Sequence, residues 1–214
     1  MLKLSKTSKL GTKSWSLQAI ETCPGSVGTD GQLVAACSGC YATQGTYNFP
    51  GTKKVRSDNK EDWKRDTFVS EFVAALKKDT HFRFFDSGDM YTLDLAKKML
   101  EIMIQSPHVK FWVPTRMHKF AKFKDIIAKM NALDNVIVRP SSDNVDGTYT
   151  KGVHRSTILP NASMADSNTF VCKAPSQDGK CNTCRACYDK NVDVIGYIAH
   201  SKKMAKVIRI MQAA

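Results

Sequence analysis

No apolar run in the 214-residue chain approaches the ~20 residues a membrane-spanning helix needs, so no membrane partner is expected. The opening stretch "MLKLSKTSKLGTKSW" lacks the apolar segment and cleavage site of a signal peptide, which makes a reducing cytoplasm the expected compartment. Acids are missing from residues 1–20, which carry Lys3, Lys6, Lys9 and Lys13 unopposed. There is no Ser-His-Asp order, no phosphate-cradling glycine loop and no zinc-protease helix. The histidines, His81, His108, His118, His154 and His200, are scattered without ligand spacing. Repeats and low-complexity tracts are absent as well. Nor is there any cysteine between Cys40 and Cys172.

What cysteine there is comes in two groups. Cys23, Cys37 and Cys40 lie in "TCPGSVGTDGQLVAACSGCY"; Cys172, Cys181, Cys184 and Cys187 lie in "CKAPSQDGKCNTCRAC". In a reducing compartment, clustered Cys-x-x-Cys spacing points to metal rather than to disulfides. The tight series Cys181, Cys184, Cys187 suits one face of an iron–sulfur cube, with Cys172 as the more distant fourth ligand. The upstream trio would bind three irons of a four-iron cluster and leave the fourth open. Three plus four accounts for all seven cysteines, as one [4Fe-4S] cluster or two. Zinc stays open as an alternative, with Cys37 and Cys40 joining Cys181 and Cys184 in a four-thiolate ribbon.

Charge adds a second constraint. Lys and Arg number 32 against 20 acids, a formal net charge of +12. Residues 116–129 contribute Arg116, Lys119, Lys122, Lys124 and Lys129 against Asp125 alone. Such a surplus fits contact with phosphates, and nucleic acid is the candidate polyanion; a plain solvated surface fits equally.

The middle of the chain alternates. Strands are predicted near 82–86, 109–113 and 136–139, and helices over "MYTLDLAKKMLEIMIQS" and "MHKFAKFKDIIAKMNAL", whose apolar residues recur at helical spacing. "SWSLQAIETC" reads as a first strand running into Cys23, and "EDWKRDTFVSEFVAALKKD" as a helix. Further strands are expected near 169–172 and 193–198, with residues 141–168 a long loop. About six strands are too few for a closed barrel. The predicted fold is α/β: a partial, open βα barrel with parallel strands and a cysteine-rich C-terminal segment. It forms one domain over 1–214, with the core and first cysteine group in 21–165 and the second group and last strand in 166–214. In such folds functional groups gather at the C-terminal ends of the strands. There the sequence places both cysteine groups, Asp86 to Asp89, Thr115 and Arg116, and Arg139 to Asp143.

Three cysteines after a first strand resemble the radical S-adenosylmethionine enzymes, although thirteen residues separate Cys23 from Cys37 where that superfamily has three. The resemblance implies that the trio's cluster binds S-adenosylmethionine at its open iron. "DSGDM" is similar to the superfamily's glycine-glycine-glutamate segment, which would set Ser87, Gly88 and Asp89 against the cofactor. "RPSSD" resembles its polar segment after the fourth strand and implies the same for Arg139, Ser141 and Asp143. The later cysteines are similar to an auxiliary cluster. "TCPGS", "CSGCYATQGTY", "RPSSD" and "CNTCRACYDK" together look like the phage gene-product-eighty-eight-like family, which implies a host-cell cytoplasm. The expected function is therefore redox or radical chemistry on an unknown substrate, served by an electron donor. Without cofactor binding, the same site would serve electron transfer or sensing. The alternative is a non-catalytic, zinc-stabilised basic module that binds nucleic acid.

Overall fold

The computed structural model describes residues 1–212. Its strands are β1 (Ser5–Lys6), β2 (Lys13–Trp15), β3 (His81–Phe84), β4 (Lys110–Thr115), β5 (Val136–Pro140), β6 (Arg155–Leu159), β7 (Thr169–Val171) and β8 (Val194–Ile198). Six α-helices accompany them: α1 (Ala35–Ser38), α2 (Pro50–Asp62), α3 (Phe68–Ala75), α4 (Leu93–Gln105), α5 (Lys124–Ala132) and α6 (Lys202–Gln212). The first five strands form one sheet in the order β1-β2-β3-β4-β5, antiparallel only at the β1–β2 edge. A second, parallel sheet has the order β6-β8-β7. A single parallel bridge, Ser141 to Ser156, links β5 to β6, supported by a bond from the Ser142 amide to the Ser156 carbonyl at 3.0 Å. None of the described helices is long and apolar enough to cross a membrane.

The alternation along each strand decides what lies on either face of the first sheet. One face carries Trp15, Phe82, Phe84, Phe111, Val113, Val136 and Val138, which pack with α3, α4 and α5 into the main core. Burying side chains of this size contributes about 1.5–3 kcal/mol each. Helix α4 shows why the periodicity was readable. Thr92 caps its N-terminus, accepting from the Leu95 amide at 3.2 Å, and Leu95, Ala96, Met99, Ile102 and Met103 form its buried stripe. The other face carries Arg83, Trp112 and Ile137 in one cross-strand row. Against it lies the second cysteine segment, with Tyr188 packed on Trp112 at 5.9 Å between ring centroids.

Several expectations need correction. The first strand stops at Trp15, and Cys23 follows a run of turns in place of extended chain. The helix expected across 61–79 is broken between α2 and α3. Lys98 stabilises that break, its ammonium donating to the carbonyls of Trp63 at 3.0 Å and Arg65 at 2.7 Å. Before α5, the chain makes two 3-10 turns at Met117–Lys119 and Ala121–Phe123. Thr115 favours the first by accepting from the Met117 amide at 2.9 Å. The presumed loop 141–168 contains β6, and the N-terminal segment adds the two-residue β1, so the described residues hold eight strands where about six were expected. Five residues with a polar flank gave too short a signal to read.

Candidate functional site

The first cysteine group is held by residues that follow β4 and β5. Cys37 lies in α1, and the Cys40 amide donates back to the Cys37 carbonyl at 3.1 Å, closing the turn. The Ala36 amide donates to the Asp143 carbonyl at 2.9 Å. The Asp143 carboxylate is itself gripped by Arg116 Nε at 3.2 Å and Lys119 Nζ at 2.7 Å, and Lys119 also donates to the Gly25 carbonyl at 3.1 Å. From above, α6 closes on the loop. A Cβ at Gly39 would stand 2.7 Å from Met204 Cε and 3.1 Å from Met204 Cα, so the absence of a side chain there lets the helix pack closely. Met204 is buried with Ala36 and Val145. Beside it, His200 stacks on Tyr41 with centroids 6.3 Å apart.

The turn after β3 is tied to the segment after β2. Ser87 exchanges backbone and side-chain hydrogen bonds with Leu17, its Oγ donating to the Leu17 carbonyl at 2.6 Å. Gly88 has φ +80°, and a Cβ there would meet Leu17 Cβ at 2.6 Å, so conformation and space both require glycine. Asp89 is buried and accepts three hydrogen bonds: from the Met90 amide at 2.8 Å, Thr115 Oγ1 at 2.7 Å and the Arg116 amide at 2.8 Å. Burial outweighs those donors and pushes its carboxyl up to about 6.

The second cysteine group spans loop and sheet edge. The Cys172 amide continues the β7–β8 ladder by donating to the Gly196 carbonyl at 2.8 Å. The Cys181 amide donates to the Lys9 carbonyl at 2.8 Å, which ties this loop to the segment before β2. Cys187 Sγ lies 3.3 Å from the Tyr197 hydroxyl. All four cysteines line one small void together with Leu10 and Phe170.

Both groups converge on a larger cavity of about 970 Å³. Its wall includes Cys23, Cys37, Cys40, Cys172, Cys181 and Cys187, and also Ser87, Gly88, Asp89 and Ser141. Cys184 lies only on the smaller void. Arg139 and Asp143, expected at a cofactor, have other partners. Asp143 clamps the first cysteine loop, as described. Arg139 is fully buried, and its guanidinium donates to the carbonyls of Ala186, Cys187, Asp189, Val192 and Asp193 at 2.8–3.4 Å. All seven thiols are free of disulfides. Burial raises the thiols of Cys23, to about 12, and of Cys187, to about 11, and lifts Cys37 and Cys181 in the same direction. Among the described residues, no three of His, Cys, Asp and Glu gather closely enough to hold a single metal ion.

Sequence reasoning missed one wall of the cavity altogether. Arg56 and Asn59 of α2, Arg83 of β3, and Tyr41 and Tyr47 all line it. The Tyr47 hydroxyl donates to Asp86 at 2.9 and 3.0 Å, while Arg56 and Arg83 approach the same carboxylate at 3.5 and 3.7 Å. The one available signal was the repeated aromatic in "CYATQGTY", whose two tyrosines meet edge to face at 5.5 Å.

Comparison with known proteins gives one match. A family model described as gene product 88 matches residues 2–190. That span takes in both cysteine groups and stops short of β8 and α6. No curated protein matches the chain, and no solved structure does. With most of its length under that match, the chain belongs to the phage gene product 88 family.

Proposed function

We propose that the protein is an iron–sulfur protein that performs redox or radical chemistry, built on an open βα barrel like that of the radical S-adenosylmethionine enzymes. The observation that carries this reading is the convergence of six cysteines from distant parts of the chain on one cavity beyond the strand ends. Parallel register running on from β5 to β6 through the Ser141–Ser156 bridge supports the barrel, as strands in the order β2-β3-β4-β5-β6-β8-β7. No relative from that superfamily was matched, so the reading rests on this chain's own residues.

Free thiols in groups of three and four match the ligand counts of an open-iron cluster and a fully ligated one. Zinc needs its thiolates about 2.3 Å away around one point, and no such gathering is present among the described residues. A four-iron cube is wider and takes thiolates at its corners. Cys23, Cys37 and Cys40 would hold one with an open iron, and Cys172, Cys181, Cys184 and Cys187 a fully ligated second. The chemistry a cluster with an open iron supplies is one-electron reduction of bound S-adenosylmethionine, with electrons from an external donor. This chain's own residues bind and shield. Gly88 lets the turn pack directly on Leu17 and Thr22 at the cavity wall. Asp89, fixed by three donors, and Ser87 and Ser141 present polar groups to the cavity. Helix α6 packs over the first cysteine loop through Met204.

Iron and acid-labile sulfide content of protein purified without oxygen tests the reading. About eight irons per chain with matching sulfide is expected for two four-iron clusters, and replacing Cys23, Cys37 and Cys40 with alanine should halve both. Zinc without sulfide would overturn it and bring forward a zinc-stabilised module, whose nucleic-acid binding would have to weaken steeply with salt.

A further inference from the structure

Helix α2 is polar apart from Pro50 and Val55, yet the residues it buries are Arg56 and Asn59. They are three apart in sequence and so share one face. Amphipathic helices normally bury an apolar stripe. This one turns a guanidinium and an amide to the cavity instead.

Each keeps one buried atom without a partner, although the Arg56 guanidinium also lies over the Tyr47 ring at 4.6 Å. Arg56 is 6% exposed, its Nε has no partner, and its ion pair with Asp86 is long, at 3.5 Å. Asn59 is 1% exposed; its Nδ2 donates to the Ser16 carbonyl at 3.0 Å, and its Oδ1 has no partner. Across the cavity wall, Arg83 Nε is equally without a partner; its Nη2 donates a long hydrogen bond to the Tyr41 hydroxyl at 3.4 Å, and its guanidinium lies over the Trp112 ring at 4.5 Å. Two cations thus share the single carboxylate of Asp86, which Tyr47 already engages through both oxygens. Burying a charge without a matched counter-charge is costly, and buried polar groups as a rule find partners. A guanidinium fork fits the oxygens of a carboxylate or phosphate in bidentate fashion.

We propose that Arg56 and Arg83 bind the oxyanion of a small-molecule substrate, a carboxylate or a phosphate, while Asn59 Oδ1 accepts a hydrogen bond from a hydroxyl or amino group next to it. The site places this end of the substrate in the same cavity as the cysteines. It stands whether or not a cluster is present, because none of its residues is a thiol.

The test uses two probes that each pair an anion with a neighbouring hydroxyl: glycerol phosphate and lactate. The full wild-type chain is treated with phenylglyoxal, and adducts on Arg56 and Arg83 are measured by peptide mass spectrometry. One probe should protect both arginines saturably. Arg56→Lys, which keeps the charge and loses the fork, should weaken that probe about tenfold, the worth of one charge-assisted hydrogen bond. Protection by glycerol phosphate assigns a phosphate, and protection by lactate a carboxylate. If neither probe protects at saturating concentration, or if Arg56→Lys binds the protecting probe as tightly as wild type, the site is refuted. Iron content is measured separately, so this failure is distinct from failure of the iron–sulfur reading.

Discussion

Arg139 Nε donates to the Cys187 carbonyl at 3.0 Å, so the strand that ends the first sheet holds the last cysteine of the second group through its backbone. The side chain leaves β5 on the face it shares with Ile137, and the main chain of 186–193 wraps around its guanidinium. Arg139→Met should therefore destabilise the protein by about 3–5 kcal/mol, because it strands several buried carbonyls. Urea unfolding measures this. An effect below about 1 kcal/mol would mean that water replaces those bonds at little cost.

Gly88→Ala combines a positive φ with a collision against Leu17. A loss of about 2–4 kcal/mol is expected, together with reduced iron incorporation, because the turn also positions Ser87 and Asp89. Gly51→Ala, at a position with open space, is the control and should be near neutral by thermal unfolding.

Asp89 provides a pH signature. Its carboxyl is raised by burial to about 6, so the folded state keeps a proton that the unfolded state has already lost. Stability from this group is fully present below about pH 4 and is lost as pH rises to about 6, a fall of about 3 kcal/mol. Urea midpoints of the metal-free protein across this window should show that fall, and Asp89→Asn should remove it. A wild-type profile that rises from pH 4 to 6 by that amount would show that other carboxylates dominate.

Met204 seats α6 on the first cysteine loop. Met204→Asp should lift the helix, since burying an unpaired charge there costs more than the docking contributes. Alkylation of Cys37, which is 7% exposed, should then speed up by about tenfold or more, read by mass spectrometry of timed samples. Unchanged alkylation would mean that α6 does not cover the loop.

Much of this architecture was legible because its core helices and strands carry apolar residues at regular spacing. The α4 stripe and the strands at Phe82, Phe111 and Val136 announce themselves in that way. Convergence of the cysteines followed from where parallel strands end. Arg139 could not be read in full because its guanidinium is taken up by the carbonyls of 186–193, a long-range pairing that no local pattern encodes. Arg56 and Asn59 were silent for a physical reason: a helix that buries polar groups has no hydrophobic period to detect. Likewise α1, at four residues, is too short for a periodic signal. Helix α6 has an apolar face of its own in Met204, Val207 and Ile208, but its place over Gly39 depends on a long-range fit that no local pattern encodes.

The bond between the Cys181 amide and the Lys9 carbonyl has a consequence for synthesis. Residue 9 leaves the ribosome early and residue 181 late, yet the second cysteine loop is anchored on the first of these. Chains emerge at roughly 5–20 residues per second, so this contact forms only many seconds after the β1–β2 edge has been made. Until then the three early cysteines stand without the later four and without α6 above them. A product truncated before residue 172 would present Cys23, Cys37 and Cys40 with neither the later cysteines nor α6 beside them.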